Sequence, residues 1–233
     1  MWKTCVIIPA YNSSRTIGPL VRHIRQLGFD AVVVNDGSTD DTAQVASEAG
    51  ALVMSSLVNQ GKGTALRRGF AFALRSGYEA IVTLDGDGQH DPQEIPRFLE
   101  TAEHDQAMVV IGHRLVNGAN MPPSRRWTNR LMSGIVSWLA RQPIPDSQCG
   151  FRLIRRQALA AVELSTQRFE IETELLLAVA RCGWTVASVP IRTIYSNHHS
   201  HIRPISDGVR FLRLVLRYVL KPRHQAGVPP LSS

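Results

Sequence analysis

Five short apolar runs, rich in β-branched residues, recur through residues 5–112, and the first four each lead into a helix-like stretch. Cys5-Val6-Ile7-Ile8-Pro9 precedes a segment with Ile17, Leu20, Val21, Ile24 and Leu27 at helical spacing. Residues 31–34 precede a segment for which Ser38 or Thr39 is the expected cap, with Asp40 and Asp41 in its first turn. Residues 51–55 precede a helical pattern over 64–75. Residues 81–84 precede Asp91-Pro92-Gln93-Glu94, which reads as an N-cap, a proline at the first helical position and an acid in the first turn. Residues 107–112 close the series. Strands separated by helices predict crossover connections, hence an α/β fold with a mostly parallel central sheet and helices on both faces. Sheets of this kind bind ligands beyond the carboxyl ends of their strands.

Polar residues stand where that rule needs them. Tyr11 and Asn12 follow the first run and Asp36 the second; Lys62 lies in the loop after the third, Asp85 and Asp87 follow the fourth, and Arg114 follows the fifth. Paired carboxylates at a strand end, joined by the amide oxygen of Gln89, suit a hard divalent cation, Mg²⁺ or Mn²⁺, bridging a diphosphate. A plain solvated Asp-Gly turn is the alternative, and convergence from several strands argues against it. Gly61-Lys62-Gly63-Thr64 lacks the upstream glycine of a Walker loop. Asp85 to Gly88 has the Asp-x-Asp-Gly form of aspartyl-phosphate phosphatases, but it follows the fourth strand and is succeeded by Gln89.

Charge is divided unevenly. Residues 1–113 carry 9 basic and 13 acidic side chains, residues 114–233 carry 17 and 6. The basic half predicts an anionic partner: nucleic acid, anionic lipid or a phosphorylated substrate. Cys5, Cys149 and Cys182 share no metal-ligand spacing, so neither a disulfide framework nor a zinc site is expected, and the compartment reads as reducing. No stretch reaches the roughly 18 apolar residues of a membrane span, and no signal peptide is evident, so a cytoplasmic location is expected.

Beyond Arg114 the alternation loosens. Residues 125–141 read as a helix bearing Trp127, Leu131, Ile135, Trp138 and Leu139 against Arg126, Arg130 and Arg141; residues 146–152 form a tight polar turn before another short element. Residues 170–181 read as helix and 186–195 as strand, with His198, His199 and His201 in a loop that is a weak metal candidate. A last helix over 205–222 sets Val209, Leu212, Val215, Leu216 and Val219 against Arg210, Arg213, Arg217 and Lys221, a pattern suited to the surface of an anionic membrane. Residues 223–233 read as a disordered tail.

Four of these motifs, in this order, resemble the family 2 glycosyltransferases of the GT-A fold: Val6-Ile7-Ile8-Pro9-Ala10-Tyr11-Asn12, Val34-Asn35-Asp36-Gly37-Ser38-Thr39-Asp40, Asn59-Gln60-Gly61-Lys62-Gly63 and Leu84-Asp85-Gly86-Asp87-Gly88-Gln89. Residues 146–152 extend the likeness towards dolichyl- or polyprenyl-phosphate sugar synthases. The resemblance implies one catalytic domain over 1–204, with a nucleotide-sugar half (1–113) and an acceptor half (114–204). It implies transfer, with inversion, of a sugar from a UDP- or GDP-linked donor to a lipid phosphate at the membrane surface, without a nucleic-acid partner. On that likeness Pro9, Tyr11, Asn12, Asp36, Lys62 and Asp85 bind the nucleotide, and Asp85, Asp87 and Gln89 hold the metal. Arg114, Arg126 or Arg130, and Arg203 grip phosphate. For a hydroxyl acceptor, a lipid or a glycan, Asp146, Glu172 or Glu174 would take the proton. Ser13 stands where the family usually has an acid, and the C-terminal transmembrane helices of many members are missing.

Two other readings keep a nucleotide-binding α/β fold. A sugar-1-phosphate nucleotidyltransferase would carry a glycine-rich loop after the first strand, where this chain has Pro9-Ala10-Tyr11-Asn12. A non-catalytic nucleotide-sugar or lipid-binding module needs no acid pair.

Overall fold

The computed structural model describes residues 2–114, 123–192 and 204–220. Its seven strands are β1 (Thr4–Ala10), β2 (Asp30–Asn35), β3 (Leu52–Ser55), β4 (Ala80–Thr83), β5 (Val109–Arg114), β6 (Arg152–Arg155) and β7 (Val186–Ile191), in the sheet order β3-β2-β1-β4-β6-β5-β7. The helices are α1 (Ser14–Gln26), α2 (Thr42–Glu48), α3 (Lys62–Arg75), α4 (Ile95–His104), α5 (Pro123–Ala140), α6 (Arg156–Ala161), α7 (Ile171–Arg181) and α8 (Pro204–Leu220).

The two-residue strand repeat divides the core. Val6, Ile8, Val33 and Val82 pack with Ile17, Val21 and Ile24 of α1 and Phe98 of α4; Cys5, Ile7, Val32 and Val34 share the other core with Leu66 and Phe70 of α3 and Leu175 and Leu176 of α7. Central strands buried on both faces explain why their sequences run continuously apolar. From β1 the chain steps outward through β2 and β3, then returns to place β4 on the other side of β1. The carboxyl ends of β1 and β4 therefore flank the point where strand order reverses.

Pro9 lies within the first strand. It pairs with Val34 inside β1, whereas pairing with β4 ends at Ile7. Ile7 O accepts from Leu84 N and Ala10 O from Asp36 N, so odd positions of β1 face β4. At position 9 that side has no ladder, and a missing N–H there costs nothing.

Three expectations shift. The element after the polar turn is a strand, β6, antiparallel to both β4 and β5; four residues are too few for a periodic signal, and two of them are arginine. Helix α2 begins at Thr42, leaving Asp40 and Asp41 outside it, because the Asp40 carboxylate accepts from the backbone N–H groups of both Ser14 and Thr42, each at 3.1 Å. The last strand ends at Ile191, and residues 193–195 lie outside the described ones.

Candidate active site

The acid turn leaves β4 at the switch point. Leu84 N donates to Ile7 O at 3.1 Å, and the turn that follows is anchored to α1 by Thr16 Oγ1 donating to Gly86 O. The Asp87 carboxylate accepts from Gln89 N at 3.0 Å, which fixes it by an Asx-type bond. Asp85 is wedged against Gly150, where a Cβ would lie 2.4 Å from its Oδ2; only glycine leaves room for the carboxylate.

Lys62 supplies the counter-charge. Its Nζ lies 2.5 Å from Asp85 Oδ1 and 2.7 Å from Glu172 Oε1. Burial alone would lower the ammonium pKa, but the two carboxylates outweigh it and the net shift is upward. Asp85 mirrors this: burial pushes its carboxyl up, and Lys62, with His90 and Arg114 farther off, pulls it below its ordinary value. Asp87 goes the other way, because burial and then the Asp85 charge both raise it. The pair thus holds one carboxylate neutralised by lysine and one under electrostatic pressure.

The loop carrying Lys62 is glycine-rich for steric reasons. Gly61 has φ +97°, and a Cβ at Gly63 would come within 2.5 Å of the Gln167 backbone. Thr64 N donates to Gln167 O at 3.1 Å, so the loop lies flat on the segment leading into α7 and meets Glu172 there. Asp36 fastens its other end: Oδ1 accepts from Gln60 N at 2.9 Å and Oδ2 from Gly61 N at 2.7 Å. Asn12, at φ 51°, joins the first two loops through Thr39 N, which donates to its Oδ1 at 2.8 Å.

On the other side of the acids, the antiparallel course of β6 brings the 146–151 turn to the carboxyl ends of β4 and β5. Arg114, the last residue of β5, donates from Nε and from a terminal nitrogen to the two oxygens of Asp146, at 2.7 and 2.8 Å. The residues read as a phosphate grip and a base hold each other. Glu174, another candidate base, accepts from the backbone N–H groups and hydroxyls of Ser165 and Thr166. Glu172 is on Lys62.

The structure therefore gathers Pro9, Tyr11, Asn12, Asp36, Lys62, Asp85, Asp87, Gln89, Arg114 and Asp146 at the strand ends and their loops. Arg126 and Arg130 ride on the first turns of α5, half-buried and exposed respectively. Arg203, His198, His199 and His201 lie outside the described residues. Two residues escaped sequence reasoning. Arg152 is fully buried, its guanidinium donating to Cys149 O (2.8 Å), Ser147 O (2.7 Å) and Glu172 O, which ties the polar turn to the start of α7. An arginine flanked by Phe151 and Leu153 in an apolar run was the available signal. His90 is buried 5.5 Å from the Phe151 ring, and among the described residues its Nδ1 has no hydrogen-bond partner; burial lowers its pKa despite the nearby acids. Nothing in its local sequence separates it from a surface histidine.

Residues 5–162 match the sequence profile of Glycosyl transferase family 2. The chain belongs to that family. Among its relatives in the family are the undecaprenyl-phosphate mannosyltransferase of Micrococcus luteus, 30% identical over 81% of this chain and 82% of its own, and the UDP-N-acetylglucosamine–dolichyl-phosphate N-acetylglucosaminyltransferase of Methanococcus voltae, 29% identical over 83% and 86%. Among solved structures, glucosyl-3-phosphoglycerate synthase of Mycobacterium tuberculosis, crystallised with Mn²⁺, UDP and phosphoglyceric acid, superposes with a TM-score of 0.72. It covers 98% of this chain and 80% of its own at 23% identity, a likeness of fold. The fold is GT-A, and the family is one of sugar-transferring enzymes.

Proposed function

We propose that this glycosyltransferase moves a sugar, with inversion, from a UDP- or GDP-linked donor to a polyprenyl- or dolichyl-phosphate-like acceptor at the cytoplasmic face of a membrane, using Mg²⁺ or Mn²⁺. The observation that carries the reading is the pairing of Asp85 with Lys62 beside an uncompensated Asp87 at the switch point. Asp87 gains most from a cation, because a cation relieves its repulsion from Asp85. Among the described residues no group of three His, Cys, Asp or Glu side chains forms a protein-only metal site. Asp85, Asp87 and Gln89 therefore suit a cation that takes its other oxygens from a diphosphate and water, as Mg²⁺ commonly does. When bound, that ion supplies Lewis-acid stabilisation of charge on the departing diphosphate.

The chain's own residues do the rest. Lys62 is the first residue of α3, so its charge is carried at a helix N-terminus, an arrangement that favours phosphate oxygens. The Asp36-tethered loop and Tyr11 flank the nucleoside side. Each candidate base is engaged: Asp146 by Arg114, Glu172 by Lys62, Glu174 by the 165–166 segment. That supports an acceptor already ionised, a phosphate, over a hydroxyl that must lose a proton. An acceptor phosphate takes the Arg114 fork in competition with Asp146. The names of the relatives point the same way. Thermal unfolding with UDP- and GDP-sugars tests this reading: with Mn²⁺ one nucleotide class raises Tm in proportion to the logarithm of its concentration over its Kd. EDTA reduces the rise. No stabilisation by either class sinks the donor assignment.

The membrane component rests on α8. Phe211 and Leu214 are buried, whereas Val209, Leu212, Leu216 and Val219 form an exposed stripe at spacings of three and four, beside exposed Arg213 and Arg217. On α5, Trp127 and Trp138 are 68% and 77% exposed. Among the described residues no helix is long and apolar enough to cross a membrane, and a half-exposed apolar stripe flanked by arginine suits the interface. Full-length protein carrying Leu212→Asp and Leu216→Asp should lose co-sedimentation with anionic vesicles by roughly tenfold or more. Unchanged binding acquits the stripe.

A further inference from the structure

We infer that Lys62 is the resident counter-ion of the acid turn, and that Glu172 is the positioning residue that keeps Lys62 in place when a divalent cation takes Asp85. The inference rests on the cation-dependent donor binding proposed above.

One ammonium serves two carboxylates. Lys62 Nζ lies 2.5 Å from Asp85 and 2.7 Å from Glu172, and its side chain is 14% exposed. A cation arriving at Asp85 meets a site already filled by a charge of the same sign, so binding is an exchange: the Lys62–Asp85 ion pair breaks as the Asp85–cation contact forms. Without a second partner the displaced ammonium would be stranded, buried and at the N-terminus of α3, where the helix dipole also repels it. Glu172 removes that obstacle. Lys62 stays paired, and its nitrogen remains beside the acid turn, where a diphosphate would sit.

Glu172 is built to stay behind. Its backbone carbonyl accepts from the buried Arg152, whose other bonds hold the 146–150 turn that presses Gly150 on Asp85. The Lys62 loop rests on the 167–168 backbone through Gly63 and Thr64. Both backbones are fixed, so the exchange is a movement of the flexible lysine side chain between two anchored carboxylates. A purely structural ion-pair triad requires none of this bias towards an incoming cation.

The two substitutions pull in opposite directions. Mn²⁺ binding to nucleotide-free protein, followed by loss of the free-ion EPR signal, should tighten roughly tenfold in Lys62→Met, where the competitor is gone. It should weaken roughly tenfold in Glu172→Gln, where Lys62 is held by Asp85 alone. In EDTA, UDP or GDP binding by calorimetry should weaken in Lys62→Met. Structural damage would weaken Mn²⁺ binding in both variants. Mn²⁺ binding no tighter in Lys62→Met, or no weaker in Glu172→Gln, overturns the inference while leaving the cation-dependent function standing. Should Lys62→Met fail to fold, Glu172→Gln, which keeps the ammonium, decides alone once circular dichroism and an unchanged Tm have shown its fold intact. Wild-type protein that binds no Mn²⁺ even with nucleotide overturns both.

Discussion

Asp87→Ala is expected to lower sugar transfer by roughly 10³-fold or more, with little loss of stability. The Asp87 carboxylate is half-buried and repelled by Asp85, and among the described residues only the Gln89 N–H bonds to it. Removing a charge under such pressure leaves the unliganded fold as stable as before, or slightly more so, whereas the donor diphosphate loses its strongest link to the protein. Asp87→Asn keeps the shape and the Asx-type bond and should be nearly as inactive, which assigns the loss to charge. Release of nucleoside diphosphate under saturating donor reads the rate, and circular dichroism reads the fold. A loss of less than tenfold in either variant removes the mechanism proposed above.

The largest stability effect is expected at Arg152. Arg152→Met matches much of the side-chain volume yet leaves Cys149 O, Ser147 O and Glu172 O without the guanidinium. Buried acceptors stripped of their donors cost about 1–3 kcal/mol each, and partial relaxation brings the total to about 3–5 kcal/mol. Urea unfolding should show that loss as a lower midpoint. Arg152→Lys, with a charge but no fork, should recover only part of it. A change below about 1 kcal/mol would mean that the turn is held by other contacts. Because the same turn carries Gly150 against Asp85 and Asp146 against Arg114, residual folded Arg152→Met protein should also transfer sugar more slowly.

The N-terminal half was the legible part. β-branched runs, helical spacing and acids or amides at strand ends are local signals, and they located β1 to β5, α1, α3 and α4, and the loops bearing Tyr11, Asp36, Lys62 and Asp85. The C-terminal half was not legible in the same way. β6 is four residues long and runs against its neighbours, so no alternation announces it. Its orientation alone brings Asp146 to Arg114 and Gly150 to Asp85. Arg114 and Asp146 stand 32 positions apart in the sequence, and their bidentate pairing follows from that orientation.

By itself the sequence determined the α/β layering, because strands buried on both faces and helices buried on one impose periods that survive without tertiary information. It also put acids, a lysine and an arginine at the ends of the strands or in the loops after them. Only the tertiary structure decided the partners. Lys62 and Glu172 are 110 positions apart and Arg114 and Asp146 are 32 apart. The charge on each is read from the sequence, but its meaning depends on the opposite charge that burial forces beside it, and that is set by how the sheet closes.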